Sequence, residues 1–118
     1  MLSFPGTLKV YLATGPTDLR KSFSGLWSVA ANEMKENPQN GALYVFANRR
    51  RTRIKILYFD GTGVWVMAKR LEQGTFFWPR GVDVKNGKLP LSAEALALLL
   101  DGVDLRRGSL RPWYQRET

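Results

Sequence analysis

The chain has 118 residues, room for one hydrophobic core and one domain. Its 44% hydrophobic and 24% charged residues are ordinary for a globular chain, which excludes wholesale disorder. Lys and Arg number 18 against 10 Asp and Glu, and a net charge of +8 attracts polyanions such as nucleic acid. The chain has neither Cys nor His. It therefore lacks disulfides, a thiolate nucleophile, the usual neutral-pH base and the commonest metal ligand. No cofactor is expected, and any metal would be a hard cation held by oxygens. The start, MLSFPGTLKVYLATGP, has no signal-peptide pattern, and nowhere do about 18 apolar residues run together. A soluble cytoplasmic protein without membrane contact is the expectation.

Leu8, Val10 and Leu12 alternate with Lys9 and Tyr11, the period of a half-buried strand. Thr17 or Asp18 then caps an expected helix whose apolar face is Leu19, Phe23, Leu26, Trp27, Ala30 and Met34. Gly25 inside it reads as a close approach to the sheet. Pro38 and the turn residues of KENPQNG end the segment.

From Gly41 to Pro79 the pattern is a meander. Leu43–Phe46, Ile54–Phe59 and Val64–Lys69 read as strands, and Thr75–Trp78 (TFFW) as a fourth, stopped by Pro79. Asp60-Gly61-Thr62-Gly63 is a hairpin turn, since its glycines reach positive φ without a Cβ clash. Successive short turns require antiparallel neighbours. Residues 80–88 read as either a minor hairpin or a loop. Ser92 caps a second helix with the stripe Leu96, Leu99, Leu100 and Val103, and Gly102 is its left-handed stop. The expected fold is α+β: residues 1–105 form a single domain with an antiparallel sheet, a meander of about four strands plus an N-terminal strand, packed with two helices. Residues 106–118 form a basic tail.

Three blocks together resemble one family. They are TDLRKSFSGL at Thr17–Leu26, LYVFANRRRTRIKILYFDGTGVWVMAKRLEQGTFFWP at Leu43–Pro79, and LSAEALALLLDGVDLRR at Leu91–Arg107. The chain resembles the TnpB accessory proteins encoded by the second reading frame of bacterial insertion sequences of family sixty-six, which are unrelated to the RNA-guided nuclease of that name. It departs at Ser22, where members often carry Gly after the Arg-Lys pair. The resemblance implies a part in transposition beside a separate large transposase. It brings no set of catalytic residues.

The densest charge is Arg49, Arg50, Arg51 and Arg53, followed by Lys55, on the connection between two strands. Arginine forks match phosphate oxygens bidentately, so this loop is the expected DNA contact. The bland alternative is a solvated turn that blunts a sheet edge. Arg20 and Lys21, placed in the first turn of the first helix, either meet a phosphate there or pair with Asp18. Arg106 and Arg107 open the basic tail, which also carries Arg111, Trp113 and Arg116. The aromatics Tyr58, Phe59, Trp65, Phe76, Phe77 and Trp78 read first as core and second as a base-stacking surface. The spacing of Asp60, Glu72, Asp101 and Asp104 marks no metal site. The expected function is therefore a non-enzymatic accessory protein that binds DNA at the element's ends. The alternative is an adaptor that assembles the transposase complex without touching DNA.

Overall fold

The computed structural model describes residues 8–78 and 87–102. The tail with Arg106 and Arg107, together with Val103 and Asp104, lies outside them.

Period-two alternation builds one sheet with two apolar faces. Strands β1 (Val10–Ala13), β2 (Leu43–Ala47), β3 (Arg53–Phe59), β4 (Val64–Arg70) and β5 (Lys88–Leu91) lie in the order β4-β3-β2-β1-β5. One face sends Val10, Leu12, Leu43, Val45, Ile54 and Ile56 against helix α2 (Ala93–Leu100) and the aromatics Phe76 and Trp78. The other sends Ala13, Tyr44, Phe46 and Leu57 against helix α1 (Phe23–Ser28) and its continuation. Central strand β2 is buried along its whole length, as a strand covered on both faces must be.

The α+β class stands, but the expected all-antiparallel sheet is corrected. β1 runs parallel to β2, with Val10 opposite Leu43 and Leu12 opposite Val45, while the other three pairings are antiparallel. Short turns dictate direction only within β2–β4. Between β1 and β2 lies a helical crossover, the kind of connection a parallel pair needs. The strand expected at Thr75–Trp78 is also absent: that segment is irregular and supplies two buried aromatics. The fifth strand is Lys88–Leu91 instead, on an edge where Pro90 need not donate to a further neighbour.

The first helix is shorter and later than the sequence suggests. Asp18 Oδ1 accepts from the Arg20 amide at 3.0 Å, so its carboxylate closes a local turn and caps no helix. α1 begins at Phe23 after Ser22, which makes no side-chain cap. It then widens into a π-helix, Val29–Glu33, where Met34 N reaches Val29 O at 3.0 Å. Leu26, Ala30 and Met34 are buried as expected, but Phe23 is 52% exposed. Gly25 does not abut the sheet. A Cβ there would lie 2.8 Å from Cβ of Lys21, so the glycine leaves room for that lysine's stem.

At α2 the reading holds. Ser92 Oγ accepts from the Ala95 amide at 3.0 Å, and Gly102 takes φ 82°. Lys69 Nζ donates to the Leu100 carbonyl at 2.7 Å, tying the end of that helix to β4.

Candidate nucleic-acid interface

The connection from β2 to β3 is a built turn. Asn48 Oδ1 accepts from the amides of Thr52 (2.9 Å) and Arg53 (3.0 Å), and its Nδ2 donates to Thr52 Oγ1 at 3.0 Å. Arg51 N donates to Asn48 O at 3.1 Å while Arg51 takes φ 60°, a left-handed conformation uncommon outside glycine and asparagine. The following chain braces the turn from outside. Leu71 N donates to Thr52 O at 3.0 Å, and Phe76 N to Arg51 O at 2.7 Å.

These constraints sort the five cations of the loop. Arg51 is half-buried and turned inward, its guanidinium 5.1 Å from the Trp78 ring, whose Nε1 donates to Ala13 O at 2.8 Å. It serves as a brace for the turn. Arg49, Arg50 and Arg53 are exposed. Lys55 is half-buried and donates from Nζ to the Lys21 carbonyl at 2.9 Å.

That bond, with Thr17 N donating to Ala47 O at 2.8 Å, docks residues 17–21 against the base of the arginine turn. Arg20 and Lys21 therefore precede α1 and stand at the same end of the sheet as the loop cations. Arg20 grips Asp18 through Nε and Nη2, the latter at 2.7 Å, and this pairing holds the Asp18 carboxyl well below the usual carboxylate range. Both side chains face solvent, so the pair orders the segment more than it stabilises the fold.

One residue that the sequence reading missed completes the group. The register of β3 and β4 sets Arg53 directly opposite Arg70, both exposed. Counting outward from the Asp60–Gly63 turn would have shown it, because Phe59 facing Val64 fixes every later pair. Like charges directly opposed across a ladder destabilise a sheet. An anion between them reverses that sign. Arg49, Arg50, Arg53 and Arg70 thus lie at one end of the sheet, where Lys55 docks the Lys21 backbone, and Asp18 (held by Arg20) and Glu72 are exposed acids of the adjoining segments.

The aromatics divide. Phe76 and Trp78 are buried, and Phe59 meets Trp27 edge-on at 6.1 Å. Trp65 is 57% exposed and Phe77 38%. Among the carboxylates, Asp60 is engaged by its turn. It accepts from the Thr62 and Gly63 amides, from Thr62 Oγ1 and from Trp65 Nε1, and these donors, led by the Thr62 amide, hold its pKa well below the ordinary value. Among the described residues no three acids gather as a metal cluster, and no helix is long and apolar enough to cross a membrane.

Over residues 8–109 the sequence matches the family described as IS66 Orf2 like protein. Two relatives come from Sinorhizobium fredii (strain NBRC 101917 / NGR234). The uncharacterized protein y4hO is 36% identical over 106 residues, covering 90% of this chain and 90% of the relative. The uncharacterized protein y4jC is 34% identical over 105 residues, covering 89% of this chain and 87% of the relative. No solved structure matches.

Proposed function

The chain belongs to the IS66 Orf2-like family, and from that premise we propose that it is a non-catalytic accessory factor of insertion-sequence transposition that holds DNA by its phosphate backbone. The observation that carries this reading is the exposed Arg53–Arg70 pair, set face to face beside Arg49 and Arg50 at the mouth of a rigid turn. A sheet gains nothing in stability from two guanidiniums opposed in this way, whereas a phosphate between them satisfies both. Arg49, Arg50, Arg53 and Arg70 make the grip. Lys21 and Arg20 flank it, Lys55 fixes Lys21 in place, and Arg51 holds the turn. Phosphate contacts position a protein on DNA without reading bases, so recognition of the element's ends falls to other contacts or to the transposase. The absence of His and Cys from the chain and the engagement of Asp60 in its turn support a non-enzymatic role.

Fluorescence anisotropy tests this with a labelled duplex of the element's terminal inverted repeat, a scrambled duplex and a single strand, over a salt series. Four engaged arginines give a slope of log K against log salt of roughly −3.6, from about −0.9 per phosphate. The variant with Arg49, Arg50, Arg53 and Arg70 all changed to Ala should lose most of that slope. Arg51→Ala should keep it at temperatures where the variant is folded. Absence of binding at low salt would sink the proposal, and retained capture of the transposase would then favour the adaptor role.

A further inference from the structure

The two edges of the sheet are treated differently. β5 has four residues and contains Pro90, and its Lys88 is ion-paired with Glu36, so that edge is short and pinned. β4 has seven residues, no Pro and no Gly, and among the described residues it pairs only with β3. Its outer row of backbone groups is a template for another strand. On the face toward α2 it carries Trp65, Met67 and Lys69, of which Trp65 is 57% exposed. Beside them runs an apolar cleft of about 470 Å³, lined by Ile54, Ile56, Met67, Lys69, Ala97 and Leu100.

We propose that β4 pairs antiparallel with β4 of a second copy about a two-fold axis through Met67, giving a dimer with one continuous sheet. Met67 is the midpoint of the strand, so this centre alone brings all seven residues of each strand into the ladder. It sets Met67 against Met67, Val66 against Ala68, Trp65 against Lys69 and Val64 against Arg70. No cation faces a cation. A two-fold axis at Lys69 or Arg70 would oppose that residue to itself, and a centre at Val66 or Ala68 leaves part of the strand unpaired. Directly opposed residues share a face, so each Trp65 arrives beside the other copy's Met67 and Lys69, at the wall of the apolar cleft. The strand's charge pattern and the cleft thus fit the same partner in the same register. The two Arg70 positions then lie six residues apart along the strand direction, about 20 Å. Both cationic ends are on the same face of the joined sheet.

The dimer stands or falls without DNA, so its test is independent of the proposed function. Sedimentation velocity on the full chain over a concentration series should show a dimer. Met67→Cys, in a chain with no other cysteine, should cross-link to a dimer on mild oxidation. Val64→Cys, whose two copies would be about 20 Å apart, should not. Trp65→Lys sets Lys against Lys69 twice and should give a monomer with unchanged far-ultraviolet circular dichroism. A monomer throughout the wild-type series overturns the proposal. So does a dimer that Trp65→Lys leaves intact, or one in which Val64→Cys cross-links as readily as Met67→Cys. If Met67→Cys fails to fold, the wild-type series and Trp65→Lys still decide.

Discussion

Two turns of the same meander use the same device to different ends. In each, one side chain with a carbonyl or carboxylate oxygen gathers the amides of a tight bend: Asn48 between β2 and β3, Asp60 between β3 and β4. The aspartate turn closes on itself, since the donors to Asp60 all come from Thr62, Gly63 and Trp65. The arginine turn is also held from outside, by Leu71 and Phe76 amides on its carbonyls and by Trp78 under Arg51. A turn that only reverses the chain needs local chemistry. A turn that must hold several like charges close together needs distant chain to brace it.

Trp78→Ala should break that comparison most. It empties a buried site 7% exposed, removes the bond to Ala13 O and takes the floor from Arg51. A loss of about 3–5 kcal/mol is expected in urea unfolding. Asn48→Ala comes next. It leaves the Thr52 and Arg53 amides without their acceptor in a part-buried setting, at a cost of about 1–2 kcal/mol by the same assay. Asp60→Ala should cost less, because its amides turn to water; an equal or larger loss would show that bracing does not distinguish the turns.

Arg70→Ala should move two observables in opposite directions. Relief of the opposed pair raises stability by about 0.2–1 kcal/mol. Loss of one phosphate contact makes the salt slope shallower by about one unit. A fall in both stability and affinity would mean that Arg70 serves the fold instead.

The smallest effect is on the acid limb. The folded-state pKa of Asp60 is depressed, so its contribution is complete above the unfolded value of about 3.9 and is lost as pH falls through the lower folded value. Carbon-13 titration should place its midpoint below that of an ordinary aspartate. Asp60→Asn should flatten the decline in stability below about pH 4 and lower stability at neutral pH, where the ionised carboxylate makes its full contribution.

Much of this was legible from local chemistry. The three long strands follow from alternation, the 60–63 turn from Asp-Gly, and α2 from Ser92 and Gly102, because each signal acts within a few residues. What was missed depends on competition or distance. Asp18 had two uses, and the Arg20 amide two residues away took it before a helix formed. TFFW has strand composition, but Phe76 and Trp78 are wanted under the arginine turn and against α2, and the Phe76 amide is spent on the Arg51 carbonyl. Lys88–Leu91 is set by its pairing with β1, far away in sequence, and its Pro90 is tolerated on an edge strand. At the site, the loop arginines were plain to see, whereas the inward turn of Arg51 required knowing where Trp78 lies. Arg70 was available by counting register.

The place of β1 between β2 and β5 also sets when the sheet can close as the chain emerges. β2, β3 and β4 are joined by short turns and can pair as soon as they emerge, since local contacts close cheaply. β1 leaves first, yet its outer edge has no partner until Lys88–Leu91 follows about 75 residues later. At about 5–20 residues per second, a ribosome leaves that edge open for roughly 4–15 s. The nascent chain therefore carries β1 with its outer edge open through most of its synthesis, until β5 emerges to close it.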